Sequence, residues 1–386
     1  MRLNPVLAEL GTYPIATIQH RARERRDAGL PLTDFSIGDP REPTPDFIPA
    51  ALRGAVPEVS QYPTARGLTG LRQAVAGYVA RRFGVEVDPD TQIIPTSGSK
   101  EAIFNTPFAF VDRSAGDVVI FPTPGYPVYE RGSLFAGADL HPVVLDGDFV
   151  LRAGDVPDDV WERARLAWIC SPHNPTGSVT SRSDLEDLVE KARTTETLLL
   201  ADECYVDVYE DDAFDDLPPS VLQVAGPGSP GVLSYLSTSK RSGMTGYRSG
   251  AIVGDPEAIS ALAQLRSTTG TASAEFVQTA AVAAWSDDDH AAERRRVFAD
   301  KRAILRKAFD DLGYEIVESR AGLYLWVKVP DDLAATDALL EEGVVVSPGR
   351  FFGAGGAGHI RLALVPTVEE CAAAVDVIKS CLWEAP

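Results

Sequence analysis

The chain has 386 residues, 45% hydrophobic and 24% charged, enough to bury a large core and to form two or three domains. Its formal net charge of -20 repels nucleic acid and anionic lipid surfaces, so neither is expected as a partner. The four cysteines, Cys170, Cys204, Cys371 and Cys381, are scattered without metal-ligand spacing. They suit a reducing cytoplasm and point to neither a disulfide framework nor a bound metal. No apolar run approaches 18 residues, and none follows Met1 to Pro5, so neither export nor membrane insertion is expected.

In chain order, residues 8–29 read as a helix with Ile15, Ile18 and Ala22 on one face, a basic end at Arg21 to Arg26, and Gly29 as its stop. A proline-rich loop from Pro31 to Pro49 follows, then a helix from Gly67 to Phe83. Short apolar runs then alternate with helical stretches. The predicted strands are 92–95, 117–121, 166–170, 197–201, 232–236 and 249–253, with helices at 100–111, 126–136 and 181–195. Runs without polar alternation suit strands buried on both faces, and the alternation implies a mainly parallel sheet covered on both sides. The acidic run from Asp207 to Asp216 reads as a solvated loop. Beyond residue 255 the pattern changes to helices at 256–267, 276–285 and 288–312, strands at 314–317, 323–329 and 359–364, and a last helix at 368–382. This second part reads as a smaller α+β unit.

Five segments carry possible chemistry. Thr96-Ser97-Gly98-Ser99-Lys100 follows a strand and opens a helix, where free N–H groups can hold a phosphate, or where small polar residues simply cap. Ser171 to Gly177 follows a strand end; Asn174 there can donate to a phenolate-like oxygen or form an ordinary Asx-Pro turn, and His173 reads as a packed loop residue. Asp202, ending an apolar strand, can pair with a protonated ring nitrogen or cap the next helix; Tyr205 can bond a ring oxygen. Cys204 between them reads equally well as a small buried side chain. Lys240 lies between hydroxyls and glycines, with Arg248 eight positions on, a grouping that suits an amine reacting with an aldehyde beside donors for a phosphate. Arg361 can grip a carboxylate from a strand of the second unit, or lie on the surface of an edge strand.

Taken in series, Asn174-Pro175-Thr176-Gly177, Asp202 with Tyr205, and Ser237 to Lys240 with Arg248 resemble the fold-type I enzymes of pyridoxal 5'-phosphate (PLP), and within them the class I/II aminotransferases. The resemblance implies an α/β PLP-transferase fold of type I. Residues 46–280 would form a large domain on a mainly parallel seven-stranded sheet and 281–386 a smaller α+β domain, with the arm 1–45 packing on the latter. It implies Lys240 as the Schiff-base lysine and proton shuttle, Asp202 as partner of the pyridine nitrogen, and Asn174 and Tyr205 as ligands of the ring oxygen. Tyr126 would stack on the ring. Gly98, Ser99 and Lys100, with Ser237, Ser239 and Arg248, would hold the phosphate. Arg361 would clamp the substrate α-carboxylate, helped by Asn174 and the backbone of Gly38. Tyr62 would reach the partner's cofactor phosphate in a homodimer.

The stretches Ser36 to Pro45, Tyr62 to Thr64 and Ser239 to Ser242 further resemble the aminotransferases acting on N-succinyl-LL-2,6-diaminopimelate in lysine and cell-wall precursor synthesis, with glutamate and 2-oxoglutarate as the other pair. Arg41 is the expected contact for a distal carboxylate, and Arg66 departs from the pattern. Aminotransfer to aspartate, alanine or aromatic amino acids, and C–S lysis on the same scaffold, are the rival activities. A regulator with an aminotransferase-like sensor would need a DNA-binding module that 30 residues and this charge do not supply.

Overall fold

The computed structural model describes residues 1–10, 16–214 and 217–382. Its strands are β1 (Thr33–Asp34), β2 (Ile93–Thr96), β3 (Val118–Thr123), β4 (Asp139–Val144), β5 (Ala164–Cys170), β6 (Leu198–Asp202), β7 (Val232–Ser237), β8 (Gly250–Gly254), β9 (Ile316–Val317), β10 (Tyr324–Lys328), β11 (Val344–Val345), β12 (Ser347–Pro348) and β13 (His359–Ala363). Seven of them form one sheet in the order β2-β8-β7-β6-β5-β3-β4. Every pairing is parallel except the two made by β8, which runs against both β7 and β2. The expected seven-stranded, mainly parallel sheet is therefore present.

The apolar runs explain why this sheet is covered twice. Along β5 and β6, Ala167, Ile169, Leu199 and Ala201 face one layer, packing on Leu185, Leu188 and Val189 of helix Arg182–Thr194. The alternate residues Leu166, Trp168 and Leu200 face the other, with Ile103, Tyr129, Ile259 and Leu262 from three helices. Each fully buried aliphatic side chain contributes about 1.5–3 kcal/mol, so the sheet is a stiff platform whose strand ends stay put. A third cluster joins helices Phe47–Gly54, Thr69–Phe83 and Glu275–Ser286 on the β2–β8 side. Helix Glu275–Ser286 spans the expected domain boundary at 280 and 281 and packs with the large sheet's unit.

The second unit is a four-stranded antiparallel sheet, β12-β13-β10-β9, backed by helices Asp289–Asp311 and Val368–Cys381. Helix Val368–Cys381 starts at a capping box between Thr367 and Glu370. The N-terminal helix Ala16–Asp27 sits against this unit through Ile18 and Ala22, which meet Leu340 and Val345. β1 then pairs with β11.

Several elements differ from their expected form. The single helix over 8–29 is two, Pro5–Glu9 and Ala16–Asp27; Ile15 lies outside the described residues. The helix over 100–111 divides into Ser99–Asn105 and Pro107–Phe110, because Pro107 has no N–H to continue the ladder. β4 and helix Asp332–Glu341 had no counterpart among the expected elements. The acidic run is only partly a solvated loop. Asp207 is buried and accepts from Tyr78 Oη at 2.8 Å, Arg82 Nε at 3.1 Å and Arg241 Nε at 2.8 Å. Burial raises its pKa, but the two guanidinium groups outweigh that and hold the carboxyl below its usual range. Asp211 and Asp212 are exposed, and residues 215 and 216 lie outside the described residues.

Arg241 is the residue after Lys240, so this buried cluster pins the lysine's own turn to the large unit. Removing one partner of such a cluster leaves buried charge uncompensated. Asp207→Ala is expected to lower the unfolding free energy by about 3–5 kcal/mol in urea denaturation. A loss under about 1 kcal/mol would show that the arginines find other partners.

Candidate active site

The carboxyl ends of β5, β6 and β7 open into a cavity of about 530 Å³, closed on the other side by residues 37–39 and by β10 and β13 of the second sheet. In parallel α/β sheets this edge gathers the loops that carry ligands. Lys240, Asp202, Tyr205 and Asn174 line it, as do Ser99, Lys100, Tyr126, Ser237, Ser239 and Arg248. Gly38 and Arg361 complete the far wall. The structure thus gathers twelve of the expected site residues around one space.

Asp202 ends β6 deep in the cavity. Its Oδ2 accepts from Tyr129 Oη at 2.8 Å and its Oδ1 from the Cys204 N–H at 3.3 Å. Burial raises its pKa, and these two bonds oppose the rise by stabilising the anion. Tyr129 was not expected at the site. It lies three positions after Tyr126 in an apolar helix, stacks on Trp168 with centroids 5.1 Å apart, and reads as core from sequence. Tyr324 was also missed. It sits in the apolar strand β10, and its hydroxyl lies 2.8 Å from that of Tyr205. Burial raises the pKa of both phenols, so both stay protonated at neutral pH.

Arg361 is 4% exposed, and the edge-strand surface reading does not hold. β13 is flanked by β10 and β12, and its guanidinium stacks between Tyr324 and Phe352, 4.3 Å and 4.4 Å from the ring centroids. It donates to Asn174 Oδ1 at 3.0 Å and to the Ser36 carbonyl at 2.6 Å. Lys240 Nζ donates to the carbonyl of Gly38. Burial pushes its pKa down to about 8; Asp39 and Cys204 resist, and Arg361 and Arg248 add to the fall. About a tenth of the amine is then neutral at pH 7, far more than for an ordinary lysine, and this is the form that attacks a carbonyl.

At the other end, Ser237 caps the turn that carries Lys240 by accepting from the Ser239 N–H at 3.1 Å. Gly98 (φ +80°) is buried directly under Arg248, and a Cβ there would collide with the guanidinium. Arg248 itself has φ 57°, a left-handed conformation costing about 1–2 kcal/mol. It donates to the Thr245 carbonyl at 2.9 Å and turns its charge toward the Gly98 turn.

One expected contact lies elsewhere. Arg41 does not line the cavity: its guanidinium pairs with Glu370 at 3.2 Å, with both side chains about 40% exposed. The first turn of helix Val368–Cys381 supplies this acid and draws the arginine outward. Arg66, the departure from the pattern, bonds the Asp90 carbonyl and is also away from the cavity. Tyr62, expected at a partner's site rather than this one, is 100% exposed on the single chain. His173 is buried, bonded to Thr176 Oγ1 at 2.8 Å, and held neutral by burial with its pKa near 4. Among the described residues no cluster of three metal-ligating side chains occurs, and no helix is long and apolar enough to cross a membrane.

The donor set fits a pyridine aldehyde carrying a phosphate. A glycine cradle lies under an arginine, and the same cavity is lined by a buried carboxylate and by a lysine with a depressed pKa. With the doubly covered parallel sheet, these groups define a PLP-dependent enzyme of fold type I. Residues 31–378 match the family model for aminotransferase class I and II, and the chain belongs to that family. It is 35% identical to an LL-diaminopimelate aminotransferase of Desulforudis audaxviator, over 97% of both proteins. Among solved structures it resembles an aminotransferase from Neisseria meningitidis, with TM-score 0.88 and 31% identity, over 98% of this chain and 99% of that one. It also resembles a probable N-succinyldiaminopimelate aminotransferase from Thermus thermophilus, with TM-score 0.88 and 28% identity, over 95% of this chain and 100% of that one. The protein is a PLP-dependent aminotransferase acting on small amino and oxo acids.

The depressed pKa of Lys240 has a consequence for stability. Between about pH 8 and 10.5 the unfolded chain binds a proton on this amine that the folded chain does not, so stability rises with pH across that window. Below pH 8 the full cost of burying the charge is present. The stability of the cofactor-free Lys240→Met variant relative to wild type should therefore fall as pH rises from about 8 to 10.5 and be level on either side of that window. Parallel thermal melts of both proteins across this range check it; a constant difference would contradict it.

Proposed function

We propose that the enzyme moves an amino group between glutamate/2-oxoglutarate and a diaminopimelate-type amino acid, with N-succinyl-LL-2,6-diaminopimelate as the preferred partner. The observation that carries the general reading is the convergence of Lys240, Asp202 and Arg361 on one cavity. The stretches around Gly38, Tyr62 and Lys240 support the succinylated substrate. Free LL-diaminopimelate is the second reading, supported by the name of the relative at 35% identity.

Each residue has a task in this reading. Arg361, already oriented by Asn174 and two aromatic rings, takes the substrate α-carboxylate in place of the Ser36 carbonyl, with the Gly38 backbone alongside. Bound PLP supplies the electron sink that stabilises negative charge on the substrate α-carbon. Asp202, kept an acceptor by Tyr129 and the Cys204 N–H, would hold a proton on the ring nitrogen. Asn174 and Tyr205 would bond the ring oxygen, with Tyr324 steadying the Tyr205 hydroxyl, and Tyr126 would cover the ring face. Gly98, Ser99, Lys100, Ser237, Ser239 and Arg248 would hold the phosphate. Lys240 Nζ takes the α-proton and later returns a proton, its depressed pKa suiting both directions near neutral pH.

Tyr62, fully exposed here, would reach the cofactor phosphate of a second copy in a homodimer. Mixing Tyr62→Ala with Lys240→Ala subunits then produces hybrids in which the lysine-bearing site receives an intact Tyr62. Wild-type cofactor affinity at that site is expected, and affinity no better than in Tyr62→Ala alone would refute the shared site.

The decisive assay offers the loaded enzyme glutamate with 2-oxo acids, and 2-oxoglutarate with N-succinyl-LL-diaminopimelate, LL-diaminopimelate and aspartate. The succinylated compound should have the highest kcat/KM. Preference for free LL-diaminopimelate selects the second reading, and preference for aspartate refutes both. Release of ammonia and pyruvate from one amino acid, without an acceptor, would identify a lyase. Lys240→Ala should keep its fold by circular dichroism and lose at least about 1000-fold in turnover.

A further inference from the structure

Residues 36–45 form a strap between the two units. The strap leaves β1, which pairs with β11 beside the small sheet, and delivers the chain to helix Phe47–Gly54 on the large unit. On the way two of its carbonyls meet the two cationic groups that a substrate must engage: Ser36 O accepts from Arg361, and Gly38 O from Lys240. The strap's height over the cavity therefore decides how an amino acid fits between those cations.

Two anchors fix that height. Glu42 forms an ion pair with Lys301 of helix Asp289–Asp311. Lys301 is 0% exposed, and its Nζ also donates to the Leu364 carbonyl at 3.2 Å, just beyond β13, which carries Arg361. Further along, Thr44 Oγ1 donates to the Gly243 carbonyl at 2.7 Å, in the turn that follows Lys240. One anchor thus ties the strap to the arginine's side of the cavity and the other to the lysine's side. Nothing in the chemistry of the cavity requires Glu42, Lys301 or Thr44, since none of them lines it. The ion pair is also a poor source of net stability, because desolvating the fully buried ammonium cancels most of its attraction to the Glu42 carboxylate, whose side chain stays partly exposed. What it does supply is a fixed position: the buried ammonium is held between that carboxylate and the Leu364 carbonyl, whereas an apolar contact there could slide.

We propose that Glu42 and Lys301 are positioning residues for substrate binding, setting the strap so that the Gly38 backbone and Arg361 jointly receive the α-carboxylate of the incoming amino acid. The inference rests on the aminotransferase site described above. It predicts an effect on substrate affinity with little effect on cofactor affinity, because the strap meets the lysine only through the Gly38 carbonyl and supplies none of the groups that would hold the cofactor's ring or phosphate. Displacement of a positioning group by about 1 Å costs on the order of 100-fold, so a partial shift should be readily measured.

The test compares Lys301→Met, Glu42→Gln, their double variant and Thr44→Val with wild type, all loaded with PLP. Glutamate is the probe, read by titration calorimetry for Kd and by steady-state kinetics for KM and kcat. Each single variant at the ion pair should weaken glutamate binding about tenfold, with kcat within about twofold and with the cofactor's visible absorption and its pH titration unchanged. The double variant should be no worse than the poorer single, since both break one link. Thr44→Val, at a partly buried position that does not threaten folding, should weaken binding about threefold, and it decides alone if the ion-pair variants fail to fold. Unchanged glutamate affinity in Thr44→Val and in any folded ion-pair variant, even with a lowered melting temperature, would overturn the proposal and leave the pair a purely structural device. A wild-type enzyme that binds no amino acid would instead sink the aminotransferase site itself.

Discussion

The ammonium of Lys240 rests on the carbonyl of Gly38, and that contact closes a ring through the molecule. Lys240 follows β7 of the large sheet, Gly38 belongs to the strap, and two residues earlier the strap's Ser36 carbonyl holds Arg361 of β13. The amine and the guanidinium are thereby spaced by backbone rather than by flexible side-chain contacts. Any amino acid that bridges them has its α-carbon placed beside the amine. The large sheet's strand ends cannot adjust, being packed on both faces, so what the site can vary is the height of the strap.

Three acids in one short segment show how the fold assigns roles that composition leaves open. Asp202 faces the cavity and is kept ionisable by Tyr129 and the Cys204 N–H. Its neighbour Glu203 points the other way, accepting from Ser220 and the Val221 N–H at 2.7 Å and from Ser234 at 2.5 Å, with burial pushing its pKa up to about 7. Asp207 is drawn into the arginine cluster behind the lysine turn. One carboxylate serves the ligand, one braces β7, and one braces Arg241.

The sequence made the central strands legible because β5, β6, β7 and β8 are apolar on both faces, and short runs of this kind admit few other readings. It also brought out the residues whose chemistry is unusual for their surroundings, such as a lysine beside glycines and an acid ending an apolar strand. β4 escaped because it is the sheet's outer strand: Asp139, His141 and Pro142 interrupt it, and only Val143 is buried. Tyr129 and Tyr324 escaped for the opposite reason. Each lies in an apolar element and looks like filling, and only the crossing of elements distant in sequence brings their hydroxyls onto Asp202 and Tyr205. Arg41 misled because proximity to Gly38 in the chain says nothing about direction. The strap turns its side chain to Glu370, on a helix more than 300 residues later.

The reversed strand β8 matters beyond sheet order. Because it runs against β7, the chain leaves the sheet at Ser237 and re-enters at Gly250 on the same edge, so Ser237, Lys240 and Arg248 all belong to one returning loop. A small molecule held at one end by the Lys240 amine and at the other by the Arg248 guanidinium would clasp that loop across its width. The strands at its base are already zipped from Leu233–Gly254 to Ser237–Gly250, so such a ligand would act as a staple across the mouth of a finished hairpin.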